Sequence, residues 1–270
     1  MKRLTYILLF MLLLSMPVQA EKTLTVLTWN TYRLGNFKKP AQNEVLRYLL
    51  SQDADVICLQ EVDIYKNNQY LTLAEVKQVL SKKYRYSYLD FAVYNQRHQF
   101  GTMVWSRYPL IHKASIHYET RGNLSNRCDI VVDKDTIRLF NNHLESYSFT
   151  SKDLDDVDLL RAKWKRAVPL RNKQAQVIRK EIEDSPYPVI VLGDFNSIAL
   201  SFAYLHISQG LHDAWRELHP WSWGATCEHR GIGLRIDYIL CSDPLVPVKC
   251  TIPNASGSDH KPVVATLRIP

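Results

Sequence analysis

The chain lacks the features that mark extreme protein classes. Nine glycines and twelve prolines among 270 residues are too few for a collagen-like or low-complexity polymer. With 46% hydrophobic and 23% charged residues it is not a disordered chain either. No Cys-x-x-Cys pair occurs, so a structural zinc site has no support. Five cysteines are too sparse for a disulfide-dense miniprotein, and their odd count leaves at least one without an intrachain partner. No apolar run reaches the ~20 residues that a membrane-crossing helix needs. A concentrated basic tail is missing too. The net charge of +7 is spread along the chain, a mild bias toward anionic partners.

What is present begins with a leader. Lys2 and Arg3 precede an apolar stretch at residues 6–14, and Val18-Gln19-Ala20 offers a small-residue cleavage point. This is the pattern of a secretory signal peptide over residues 1–20. Cleavage near Ala20 would start the mature chain at Glu21, lower its net charge to +5, and export it to the periplasm or the medium. No cysteine follows the cleavage point, which argues against a lipid anchor. Residues 21–270 then suit one large domain. Cys58 sits in an apolar run and reads as a buried thiol. Cys241 and Cys250 flank a turn with Pro244 and Pro247, so a cross-strand disulfide between them is an expectation.

Short apolar runs alternate with amphipathic stretches. Strands are expected at residues 24–29, 56–59, 102–105, 130–132, 137–140, 189–192, 236–241, 246–251 and 262–267. Pro40 opens a helical segment with Val45, Leu46, Leu49 and Leu50 on one face, and Leu73, Val76, Val79 and Leu80 mark another. Residues 153–184 form the longest helical tract, which Pro169 should break in two. Residues 91–99, with Tyr94, Asn95, Arg97 and His98, read as a loop that touches substrate. The alternation indicates α/β architecture in one domain.

Polar residues collect where the apolar strands end. Val189-Ile190-Val191-Leu192 runs into Gly193-Asp194-Phe195-Asn196, where extended geometry would put Asp194 and Asn196 on one face. Residues 24–29 end in Asn30, residues 56–59 in Gln60-Glu61, and residues 137–140 in Asn141-Asn142-His143. Asp237 lies inside an apolar strand, where an acid needs a partner. Ser258-Asp259-His260 precedes the last strand. Singly, each is an ordinary turn former. Together they supply acids, amides and imidazoles without a thiol, the groups that a hard metal and a phosphate require.

Thr28-Trp29-Asn30, Leu59-Gln60-Glu61, Asn142-His143-Leu144, Gly193-Asp194-Phe195-Asn196, Arg235-Ile236-Asp237-Tyr238 and Ser258-Asp259-His260 occur in an order that resembles the endonuclease/exonuclease/phosphatase superfamily. That group includes pancreatic-type deoxyribonucleases, abasic-site endonucleases, neutral sphingomyelinases and inositol-polyphosphate 5-phosphatases. The resemblance covers the whole mature chain. It implies a four-layer α/β sandwich, two mixed β-sheets face to face with helices outside, and a divalent-metal-dependent phosphoester hydrolase.

The resemblance also implies roles. Glu61 would hold Mg2+ (or Mn2+), with Asn30 at the ion or the phosphate and Asp259 as a further ligand. His260 would sit against the phosphate, oriented by Asp237. Asp194 would orient or deprotonate the attacking water, and Asn196 would donate to a phosphate oxygen. His143 would act across the phosphate as general acid or charge-stabilising donor, and Thr226 is a lesser phosphate contact. Whether Asp194 or His260 is the base stays open. Abasic-site endonucleases have tyrosine near the His143 motif, whereas deoxyribonuclease-like and lipid-directed members have histidine.

Two substrate classes compete. An exported nuclease is favoured by net positive charge and the basic tract between Arg161 and Arg179, although the acids just upstream, from Asp153 to Asp158, suit a merely solvated helix face. A phospholipid-headgroup phosphodiesterase or inositol-phosphate phosphatase would use the same site, and Trp221 and Trp223 could meet a membrane interface. A non-catalytic binding module would need a broken constellation, and here each motif position is filled. No obligate protein partner is implied, and a monomer is expected.

Overall fold

In the computed structural model, residues 21–147, 156–229 and 231–270 are described; the leader, Asp153 and Asp155 lie outside them. In chain order the first seven strands are β1 (Thr23–Asn30), β2 (Val56–Tyr65), β3 (Tyr86–Tyr94), β4 (His98–Ser106), β5 (Leu110–His117), β6 (Leu124–Val132) and β7 (Asp135–His143). Then come β8 (Val189–Asp194), β9 (His212–Asp213), β10 (Cys227–His229), β11 (Ile232–Leu234), β12 (Asp237–Cys241), β13 (Val246–Thr251) and β14 (Val263–Arg268). One sheet has the order β13-β14-β1-β2-β4-β3 and the other β5-β6-β7-β8-β12-β9, with β10-β11 a separate ribbon. β1 runs parallel to β2 and β7 parallel to β8, while the other neighbours are antiparallel, so both sheets are mixed.

The period of two sorts each central strand between two cores. On β8, Ile190 and Leu192 join the cluster between the sheets, and Val189 and Val191 join the cluster beneath the long helix. β1 divides likewise: Leu24 and Val26 face the other sheet, Leu27 and Trp29 the outer helices. That double coverage explains why residues 189–192 are apolar without alternation. Helices Glu44–Ser51 and Leu73–Leu80 cover the first sheet; Val157–Glu183 and Phe202–Ser208 cover the second. The layers are therefore helix, sheet, sheet, helix. Among the described residues no helix is long and apolar enough to cross a membrane.

Three expectations fail for identifiable reasons. Pro169 does not split its helix, which runs unbroken from Val157 to Glu183. The Asp156 carboxylate caps its start, accepting from Asp158 N and Leu159 N at 3.1 and 3.0 Å. Beyond Pro169, buried Ala175, Ile178 and Ile182 seat it on the second sheet, and the packing outweighs the one backbone bond that proline removes. Residues 91–99 are not a loop: β3 extends to Tyr94 and β4 begins at His98, leaving a tight hairpin. The Cys241–Cys250 disulfide does not form. Their strands lie in opposite sheets instead of in one hairpin, and both are buried free thiols of the inter-sheet core. Pro40 opens a short 3-10 turn, and the helix starts after Asn43, whose side chain accepts from Leu46 N.

Candidate active site

The site lies at the edge where the two parallel pairs end. β1 and β2 deliver Asn30 and Glu61 from one sheet, while β7 and β8 deliver His143 and Asp194 from the other. β12 and β14 run the opposite way, so their beginnings, with Asp237 and the approach at His260, reach the same edge. In the second sheet His143 pairs with Asp194, and Asp194 with Asp237, as direct cross-strand partners.

Two backbone devices aim these side chains. β2 and β4 pair at Leu59↔Met103 and again at Val62↔Gly101, so Gln60 and Glu61 together oppose Thr102. In this bulge Glu61 adopts a left-handed φ of +50°. Gln60 is thereby turned inward, where its Nε2 donates to Asn141 Oδ1 at 2.6 Å across the sheets, and Glu61 is turned to the site. At the end of β8, Gly193 has φ +126°, and a Cβ there would stand 2.1 Å from Asn142 O. Only glycine lets β8 approach β7 this closely beside Asp194.

The first wall of the site is a chain of polar contacts. His260 Nδ1 bonds Asp237 Oδ2 at 2.9 Å, and its Nε2 faces Asp194 Oδ2 at 4.0 Å. Asp194 Oδ2 accepts from Asn30 Nδ2 at 2.9 Å and from Asn196 Nδ2 at 3.1 Å, and Oδ1 accepts from Asn196 N at 2.8 Å. The His260 backbone is fixed as well: Trp29 Nε1 donates to its carbonyl, and its N–H donates to Ser258 Oγ, which itself donates to Asn30 O. Burial alone would push His260 down. The carboxylates of Asp237 and Asp194 outweigh burial and hold the imidazole well above its ordinary range. Asp194 is raised, first by burial and then by the Asp237 charge, against the opposing pull of the two imidazoles.

The second wall is less occupied. Glu61 Oε1 accepts from Asn30 Nδ2 at 3.2 Å and lies 3.7 Å from His143 Nε2. The Glu61 side chain keeps 27% of its surface exposed. His143 is buried, yet neither ring nitrogen has a hydrogen-bond partner among the described residues. Leaving such a group dry and unpaired costs about 1–3 kcal/mol, so the arrangement suits a group that arrives with the substrate.

A divalent cation fits one of these walls better than the other. Asp194, Asp237 and His260 bring ligand atoms within 4.8 Å of one another. There, however, the His260 ring already bonds Asp237 and favours its proton, which a cation would have to displace. Glu61 offers hard carboxylate oxygens at a partly open position, the donor type that magnesium-like ions take, while the buried Asn30 turns its Nδ2 to Glu61 and accepts from Tyr32 N through Oδ1.

The remaining expected residues differ in how they relate to this centre. Asp259 stands exposed, its carboxylate 3.4 Å from Ser258 Oγ. Thr226 corrects its expected role as a phosphate contact. It is fully buried, and its hydroxyl accepts from Ile236 N and Asp237 N at 3.1 and 3.2 Å, so it braces the start of β12. Asn196 has a left-handed φ of +49° and donates to Leu144 O at 3.0 Å as well as to Asp194. The basic tract is largely engaged within the molecule. Arg166 pairs with Glu145, Arg171 donates to Glu145 O, and Arg179 pairs with Glu183. Sequence reasoning missed Asn141 and Ser258 as braces, and also Asp63, buried between Val62 and Ile64 and bonded to His98. An acid in an apolar strand was the available signal, as it was for Asp237.

Comparisons with known proteins agree with this geometry. A family model described as Endonuclease/Exonuclease/phosphatase family matches residues 27–260. Among solved structures, an endonuclease/exonuclease/phosphatase from Beutenbergia cavernae DSM 12333 is similar at 18% identity and TM-score 0.71, covering 92% of this chain and 72% of that one. A humanized D. rerio TDP2 is similar at 19% identity and TM-score 0.66, covering 92% and 99%. Sphingomyelinase C from Streptomyces griseocarneus is similar at 17% identity and TM-score 0.62, covering 91% and 99%. At these identities the likeness shows the shared fold. No curated protein matches the chain by sequence. On the strength of a family model that spans both walls of the site, the chain belongs to the Endonuclease/Exonuclease/phosphatase family, whose members hydrolyse phosphoester bonds and generally depend on divalent metal ions.

Proposed function

We propose that this is an exported, magnesium-dependent phosphodiesterase that cleaves nucleic acid and acts as a monomer. The observation that carries the reading is the pair of buried imidazoles that the two sheets bring to one edge of the sandwich. His260 is braced by Asp237, and among the described residues neither ring nitrogen of His143, beside Glu61, has a hydrogen bond. Export rests on the leader at residues 1–20. Nucleic acid is preferred over a lipid headgroup because of the net positive charge.

Glu61 and Asn30 would hold the ion, which would neutralise charge on the phosphoryl oxygens and help the departing oxygen leave. The protein's own groups divide the rest. His260 enters protonated, so it donates to a phosphoryl oxygen instead of taking a proton first. Asp194 has a raised proton affinity and an oxygen 4.0 Å from His260 Nε2, which makes it the acceptor for the proton of the attacking water. Asn196 fixes the Asp194 carboxylate through two hydrogen bonds. His143 supplies the donor opposite, to the transition-state charge or the leaving oxygen.

A second reading, hydrolysis of a phospholipid headgroup, is favoured by one observation. Trp221 is 99% exposed, Leu200 78% and Trp223 55%. Leu200 and Trp223 line one cavity with Arg235, two residues from Asp237. The deciding experiment offers the mature protein plasmid DNA, RNA, sphingomyelin and phosphoinositides in parallel with magnesium. EDTA-treated and Asp194→Asn samples serve as controls. Cleavage of DNA or RNA that both controls abolish is expected. Turnover that survives both controls sinks the mechanism, and faster turnover of lipid than of nucleic acid sinks the substrate preference.

A further inference from the structure

Beside Glu61 the surface carries a second set of groups that the hydrolytic centre does not use. Two residues past Glu61, the buried Asp63 carboxylate holds His98 Nδ1 at 2.7 Å, which leaves Nε2 for a ligand. The Tyr65 ring stacks on His98 at 5.6 Å and meets Tyr70 at 4.6 Å and Phe37 at 5.0 Å. Arg33 lies over Phe37, and Lys66 lies over Tyr94 at 4.0 Å. Tyr94 is 68% exposed and Tyr70 36%. These contacts join three segments, residues 31–42, 62–72 and 91–99, in one aromatic patch.

That patch is predominantly cationic. The three segments contain Arg33, Lys38, Lys66 and Arg97, with Lys39 paired to Glu75 outside them, and the acid among them is Asp63, which is buried and bonded to His98. It also reaches the site. Tyr32 N donates to Asn30 Oδ1, and Phe100, the cross-strand partner of Asp63, sets its ring 6.3 Å from that of His143. Aromatic faces interleaved with cations bind single-stranded nucleic acid: unpaired bases stack on the rings while the cations follow the phosphates. The exposed tryptophans that suit a membrane interface, Trp221 and Trp223, lie outside these three segments, and a duplex keeps its bases stacked on each other, away from Tyr94 and Tyr70.

We propose that this surface is a binding platform for a single strand of nucleic acid, with bases on Tyr94 and Tyr70 and phosphates on Lys66, Arg33 and His98. It rests on the nucleic-acid reading above and narrows it to single-stranded tracts that run from the platform into the cleft. Tyr65 lies four residues beyond Glu61, about 13 Å along an extended strand. At about 3.4 Å per stacked nucleotide that distance holds about four nucleotides.

The test is fluorescence anisotropy of the full mature chain in EDTA with labelled twelve-residue oligothymidylate, a duplex of equal length, and phosphatidylglycerol vesicles. Oligothymidylate is expected to bind more tightly than the duplex. Tyr94→Ala is expected to weaken it about tenfold, as loss of one stacked base does. Lys66→Ala should lower the salt slope by about 0.7, the value of one phosphate contact on a single strand. Lys180→Ala, on the exposed face of the long helix, should leave affinity unchanged. Both platform residues are exposed, and thermal melting confirms that each variant folds. Unchanged oligothymidylate affinity in the folded Tyr94→Ala and Lys66→Ala proteins overturns the platform, as does loss of vesicle binding alone. Hydrolysis of bis(4-nitrophenyl) phosphate by the wild type with magnesium, measured alongside, decides the phosphodiesterase reading separately.

Discussion

The two walls of the cleft use their own hydrogen-bonding capacity very differently. On the Asp194–Asp237–His260 wall, Asp194 accepts from three N–H groups, and both ring nitrogens of His260 face carboxylates. On the Glu61–His143 wall, Glu61 has one amide and a more distant imidazole, and the buried His143 ring has no hydrogen bond among the described residues. Among the described residues one wall is bonded throughout except at the buried Asp237 Oδ1, so most of its groups are already oriented when substrate arrives. The other leaves acceptors and ring nitrogens idle, and its occupants come from solution. On the proposed function, the chain separates proton handling from charge handling within one cleft.

The sharpest break of that division would come from Asp194→Asn. The substitution removes the proposed proton acceptor and leaves Glu61 untouched, so turnover should fall by about 10²–10⁴. Cation affinity, read by calorimetry, should change far less than the about 10–100-fold that follows loss of a group supporting a metal ligand, because the amide oxygen of the substituted side chain can still accept from Asn30 Nδ2. A drop in affinity that matches the drop in turnover would merge the two walls into one. The converse substitution, Glu61→Gln, should weaken cation binding by that about 10–100-fold and leave the His260 titration in EDTA in place.

A smaller effect is expected at Asp237→Asn, which removes the orienting charge and keeps the hydrogen-bonding shape. Turnover should fall about 10–100-fold. In EDTA, the His260 titration followed by NMR should move down, because the first charge that raises it is gone. The stability consequence has a definite sign. His260 is raised in the folded chain above its unfolded value of about 6.5, so bound proton stabilises the fold. That contribution is fully present below about pH 6.5 and is lost as pH rises through the folded value. The melting gap between wild type and variant should therefore be widest in acid and narrow in alkali. A gap that widens with pH would mean that the His260–Asp237 pair is held neutral.

The same contrast explains what could be read from the chain. Residues 189–192 were legible because a strand covered on both faces must be apolar at every position. β3 was not. Each residue from Tyr86 to Val93 is half-buried at a sheet edge, so no alternation marks it, and its end passed for a loop. Site residues were legible by type at strand ends, since acids and imidazoles gather where backbone pairing stops. How Glu61 is aimed was hidden, because the bulge depends on the register of β2 against β4 and no local pattern records it. Pro169 misled for a similar reason: burial beyond it and the brace of Glu145 on Arg166 and Arg171 come from residues far along the chain.

Thr226 supplies the mildest test, because it separates a residue that touches substrate from one that positions another. Its hydroxyl takes the N–H groups of Ile236 and Asp237, just where β12 begins. Thr226→Val keeps the shape and leaves two buried donors without that acceptor, at about 1–3 kcal/mol. The melting temperature should fall, and turnover should fall by less than in Asp237→Asn, because the Asp237 carboxylate is displaced but still present. Thr226→Ser retains the hydroxyl and should restore both. If Thr226→Val instead raises KM for the substrate while the melting temperature holds, the hydroxyl contacts phosphate after all. Such a result would move Thr226 from the braced wall of the cleft to the receptive one.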